Sequence, residues 1–163
     1  PEQITDADLA KYFLPTFMAI AMAKVSMSAA EARTNGFLGP KDRIAFNRDY
    51  LIGEAKKEVL KMLDEGYAPP AKRKIKVIGT AAQGMVDAEL FNMQSAGYVS
   101  EYDVFLARRI AYVISGGNVR TNSFIDEDVI LNLEREAFVD FWKEEKTVAR
   151  VTHMLTTGKP LRN

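Results

Sequence analysis

The stretch Ser100–Asn118, SEYDVFLARRIAYVISGGN, carries the full set of signals for one helix. The Ser100 hydroxyl is placed to accept from the amide three residues on, while Glu101 and Asp103 set carboxylates against the unpaired amides of the first turn. Tyr102, Leu106, Ile110 and Val113 recur at helical spacing along one face. Gly116-Gly117-Asn118 then stops the helix, since these residues tolerate positive φ.

The same grammar recurs on both sides. A first helix begins near Thr5 or Asp6 and runs to about Met27, with Pro15 expected to kink or split it. Ser28-Ala29-Ala30-Glu31 reads as a capping box, in which Ser28 takes the Glu31 amide and the Glu31 side chain returns to the Ser28 amide. Gly36 closes that short helix. Asn47 is placed to cap a longer one with Ile52, Val59 and Leu63 on one stripe, ended by Gly66. Further helices are expected at about Ala81–Ser95, Asp126–Lys143 and Thr147–Thr157, with the tail 158–163 mobile or docked on a partner.

The fold class is therefore all-α, with about seven helices in one helical domain or in two small helical lobes joined near residues 68–80. In that joint, Pro69-Pro70 precede Lys72, Arg73, Lys74 and Lys76, the clearest break in composition. Ile75, Val77 and Ile78 within it suit a short extended segment packed on one lobe, without implying a sheet. The expected domains are 1–67, a linker at 68–80, and 81–163.

Bulk composition excludes several functions. Lys plus Arg and Asp plus Glu are 22 each, so no electrostatic footprint for nucleic acid is present. Cysteine is absent, which removes disulfides, thiolate metal sites and Cys nucleophiles and fits a reducing, cytoplasmic setting. The longest apolar stretch, Phe13–Ala23, is interrupted by Pro15 and Thr16 and falls short of the ~18 residues of a membrane span. The chain opens at Pro1 rather than Met and shows no secretory signal, which leaves room for an upstream portion.

Candidate chemistry is sparse. His153 is the sole histidine, so triads and His-rich metal sites rest on one residue that more often caps carbonyls or fills a groove. Glu134 and Glu136 stand two apart on a helix and point to different faces, which makes them poor acid–base partners. Asp126, Glu127 and Asp128 cluster at a helix start, where free amides account for them. Gly79-Thr80-Ala81-Ala82-Gln83-Gly84 matches neither glycine-rich phosphate fingerprint and reads as the start of a helix. The cations of Lys72–Lys76 suit a solvated linker better than a phosphate site. Met18, Met22 and Met27, with Met62, Met85, Met93 and Met154, suit core filling better than a deformable binding surface. No residue is assigned a catalytic, cofactor-binding or metal-binding role.

Five stretches nevertheless carry a resemblance: IAMAKVSMSAAEARTNGFL (20–38), NRDYLIGEAK (47–56), GYVSEYDVFLARRIAYVISGG (97–117), LEREAF (133–138) and HMLTTGKPLRN (153–163). Together they resemble the C-terminal end of bacterial 3-hydroxyacyl-CoA dehydrogenase/enoyl-CoA hydratase multifunctional proteins of fatty-acid β-oxidation. In that family an NAD-binding dehydrogenase portion comes first, then a crotonase-like portion, then a helical end. The resemblance implies that 1–67 is the helical end of the crotonase-like unit and 81–163 the family's own extension. It implies NAD and an acyl-CoA substrate for the parent enzyme and none for this chain. The crotonase oxyanion amides and glutamates, and the dehydrogenase fingerprint and His/Glu pair, match no position here. What is expected is a helical fragment, inactive alone, whose partners are the upstream domains and possibly a second copy. An exposed apolar face on residues 4–27 should mark the cut, and the rival reading is a free-standing oligomerisation or interaction module.

Overall fold

The structure is a computed structural model that describes residues 6–163, with side chains described from residue 9 onward. Among the described residues are seven α-helices: α1 Asp6–Ala21, α2 Ala29–Thr34, α3 Leu51–Asp64, α4 Ala81–Ser95, α5 Glu101–Ile114, α6 Glu127–Phe141 and α7 Glu145–Thr157. Two four-residue strands, β1 Lys74–Val77 and β2 Ser123–Asp126, are added to them. The protein is mostly helical, as its periodicity requires.

The chain divides into two compact units, and the division differs from a seam at 68–80. Residues 6–24 belong with Lys72–Asn163, and Val25–Ala71 form the second unit. The reason lies on α1. Phe13 and Phe17, four apart and therefore on one face, stack at 6.5 Å between ring centroids and are buried with Ala82, Val86 and Leu90 of α4 and Val104, Ala107 and Ala111 of α5. Apolar burial of that extent, not nearness in sequence, decides which helices share a core.

Pro15 lies inside α1 without splitting it, and the helix ends at Ala21 rather than near Met27. It closes through bonds from the Ala23 amide to Ile20 and the Lys24 amide to Ala19, with Ala23 at φ +50°. The expected start at Thr5 lies outside the described residues.

Residues 72–80 are not a bare linker. Strand β1 pairs antiparallel with β2, Ile75 opposite Ile125 and Lys76 opposite Phe124. Period-two alternation then sorts the side chains: Val77 and Ile125 turn inward and are buried, while Lys76 lies 6.0 Å over the ring of the exposed Phe124. Gly116 lets this strand pair close on the end of α5, because a Cβ there would meet Val77 Cγ2 at 2.7 Å and Ile125 Cδ1 at 2.9 Å.

Helix α5 is the hub of the first unit. Its cap is the expected one, with Ser100 Oγ accepting from the Asp103 amide and the Asp103 carboxylate accepting from the Ser100 amide. Its burial is wider than one stripe: Val104, Ala107 and Ala111 face α1 and α4, while Phe105 meets Phe141 of α6 edge-on at 6.1 Å.

In the second unit Ser28 caps α2 by accepting from the Glu31 amide at 3.1 Å, but the Glu31 carboxylate reaches the Met27 amide rather than that of Ser28. Asn47 accepts from the Asp49 amide and starts a 3-10 turn, Arg48–Tyr50, that leads into α3. On α3 the stripe of Ile52, Val59 and Leu63 is 84%, 57% and 67% exposed. Along residues 9–27 the pattern is mixed: Phe13 and Phe17 are buried, whereas Tyr12, Ile20, Met22, Val25 and Met27 are exposed.

Candidate functional site: two clefts beside α5

Two clefts lie in the first unit, one on each side of α5. The first, about 370 Å³, opens between α4 and α5 over a floor of Val86, Val104 and Ala111, with Gln83, Arg108, Arg109 and Asn118 around it. Its cations are matched locally: Arg108 Nε donates to Asp87 at 2.8 Å, and Arg109 donates to Asp140 at 3.0 Å while lying over the Tyr112 ring. The Gly79–Gly84 segment borders this cleft as the turn into α4, and Thr80 precedes the helix without a side-chain capping bond. Gly79 is required there: at φ +63°, a Cβ would stand 2.6 Å from the Val119 carbonyl.

The second cleft, about 310 Å³, is floored by Phe17, Met18, Leu90, Met93, Leu106 and Ile110. It is also lined by Asp103 and Arg150 and, from the tail, by Pro160, Leu161 and Arg162. The tail is thus docked on its own helices. Arg150 holds it from α7, with Nε on Asn163 Oδ1 at 2.8 Å and Nη2 on the Asn163 main-chain oxygen at 3.3 Å. Arg150 Nη1 meanwhile donates to Asp103 Oδ1 at 2.7 Å, and the guanidinium lies 5.0 Å over the Tyr102 ring. Burial raises the Asp103 pKa, but hydrogen bonds from the Ser100 amide, Arg150 and the Ser100 hydroxyl outweigh it and hold the carboxyl below its usual range.

The residues singled out in the sequence are scattered. His153 sits half-buried on α7, where its carbonyl accepts from the Thr156 and Thr157 hydroxyls. Glu134 and Glu136 are exposed on α6. Asp126 ends β2 and precedes α6 without a side-chain cap, while Asp128 receives Lys72 at 2.7 Å. Of the methionines, Met18 and Met85 pack on the core and Met22, Met27 and Met154 are exposed. Among the described residues no group of three or more His, Asp or Glu stands close enough to hold a metal ion. The Asp103–Arg150–Asn163 cluster escaped sequence reading: Asp103 was legible as a capping residue, but nothing local marks Arg150 as its partner.

Comparison with known proteins sharpens the picture at this point. Over 150 residues the chain is 44% identical to a protein of Bacillus subtilis (strain 168) described as "Probable 3-hydroxyacyl-CoA dehydrogenase". The alignment takes in 92% of this chain and 19% of that relative, in its C-terminal region. The chain therefore spans about a fifth of the relative's length. No family model matches the chain, and no solved structure matches it. No helix among the described residues is long and apolar enough to cross a membrane.

Proposed function

We propose that this chain is the C-terminal helical part of a fatty-acid β-oxidation enzyme of the 3-hydroxyacyl-CoA dehydrogenase/enoyl-CoA hydratase kind, working in the cytoplasm. The parent hydrates an enoyl-CoA on a crotonase-like unit and oxidises the 3-hydroxyacyl-CoA with NAD. This part supplies packing and assembly and is inactive alone. The observation that carries the reading is the 44% identity confined to 19% of a far longer dehydrogenase. In this reading residues 1–67 derive from the crotonase-like unit and 81–163 are the extension. NAD and acyl-CoA are held upstream, since no residue here matches a fingerprint for either.

The exposed stripe Ile52, Val59 and Leu63 supports an assembly role, because an apolar helix face of this kind gains by burial against a partner surface. The test has two arms. Enoyl-CoA hydratase and NAD-dependent dehydrogenase turnover by the purified chain should stay at background, and activity near that of a complete enzyme overturns the proposal. Mixed with the upstream portion of the B. subtilis relative, the chain should form a complex in sedimentation that the double substitution Ile52→Lys/Val59→Lys dissolves.

The same stripe also favours a second reading, a free-standing module that oligomerises or docks another protein. Light scattering discriminates. A defined oligomer of the isolated chain, with no binding to the upstream portion, would establish the module, and a monomer that binds the upstream portion would eliminate it.

A further inference from the structure

We infer that residues 159–163 are a displaceable strap over the second cleft, and that the cleft takes a linear apolar carboxylate once the strap moves aside.

The strap is held by side chains alone. Among the described residues no backbone-to-backbone hydrogen bond joins 159–163 to the rest of the chain, the last being from the Gly158 amide to Met154. Its tertiary ties are the two Arg150–Asn163 bonds, the Asn163 amide on the Lys146 carbonyl at 3.4 Å, and Arg162 on the Tyr98 carbonyl at 3.3 Å. Each such bond exchanges for one to water, which cancels most of its gross strength. Gly158, at φ +69° with nothing within 4 Å of its missing Cβ, is an uncrowded pivot at the strap's root.

Arg150 is two-sided. Nη1 belongs to Asp103, whereas Nε and Nη2 belong to the strap. Departure of the strap leaves Arg150 anchored and the start of α5 capped, and it frees two N–H donors on a residue that lines the cleft. In the closed form those donors already hold two oxygens, Asn163 Oδ1 and the Asn163 main-chain oxygen, and a carboxylate offers the same pair. Behind them the floor is Met18, Met93, Leu106 and Ile110, flexible or aliphatic side chains that adapt to a narrow chain. Even with the strap as one wall the cleft encloses about 310 Å³, the small end of ligand sites, so displacing the strap gives room for an unbranched chain.

Decanoate below its micelle concentration is the probe, used with the full 163-residue chain. Calorimetry should show saturable binding, and carboxypeptidase should release Leu161–Asn163 at least tenfold faster when it binds. Asn163→Ala, which weakens only the strap's side of the latch, should tighten binding at least threefold. Met93→Trp, which fills the floor, should abolish it with the strap still protected. No binding at millimolar decanoate overturns the inference, as does binding that leaves the strap's protection unchanged. Weaker binding in Asn163→Ala also overturns it, because the tail would then be a fixed wall rather than a strap.

Discussion

Arg150 Nη1 donates to Asp103 Oδ1 at 2.7 Å, across 47 residues, and both side chains are about four-fifths buried. One carboxylate thereby serves a local and a long-range purpose: it closes the capping box at the start of α5 and ties that start to α7.

Removing the guanidinium leaves Asp103 poorly compensated. Arg150→Ala should cost about 3 kcal/mol in urea unfolding, the low end for a largely buried pair. Asp103→Asn, which retains an oxygen to accept from the Ser100 amide, should cost less. A loss below about 0.5 kcal/mol for Arg150→Ala would show the pair to be as weak as a surface one.

Acid should weaken the first unit through the same carboxylate. The folded Asp103 pKa lies below its ordinary value, so its contribution is complete above the unfolded pKa of ~4 and is lost as pH falls through the folded one. Urea midpoints measured from pH 7 to pH 2.5 should fall below about pH 4, and the fall should be shallower in Asp103→Asn. Equal slopes in both proteins would assign the acid sensitivity elsewhere.

Three glycines with positive φ separate strain from collision. Gly97→Ala, at φ +74° with nothing within 4 Å, should cost only the strain of a left-handed alanine, about 1 kcal/mol. Gly116→Ala meets Val77 and Ile125 side chains and should cost about 2–3 kcal/mol. Gly79→Ala meets the Val119 and Arg120 backbone, which cannot swing aside, and should cost most of all. Thermal melts of the three variants should rank in that order.

Phe17 is fully buried where α1 meets α4 and α5. Phe17→Ala should cost about 3–5 kcal/mol by lost burial plus cavity. Ile52→Lys on the exposed α3 stripe should change stability by less than about 0.5 kcal/mol while weakening assembly. A large stability loss from Ile52→Lys would mean that the stripe is already covered in the isolated chain.

By itself the sequence determined whatever depends on a few consecutive residues. Ser28 and Ser100 announce helix starts, Gly36, Gly66 and Gly116 announce ends, and the spacing between them makes the protein helical, because caps, positive φ and the 3.6-residue period are local physics. The likeness of the chain from about residue 17 onward to the end of a longer enzyme was legible on the same terms. Only the tertiary structure decided the rest. Strand β1 needs a partner about fifty residues away before Lys-Ile-Lys-Val becomes a strand rather than a linker. Helix α1 joins α4 and α5 because Phe13 and Phe17 find their burial there, and Arg150 acquires its role only when folding brings Asp103 and Asn163 to it. Such pairings are chosen by the free energy of burying surface and satisfying charge between distant segments, and no local stretch of sequence contains that information.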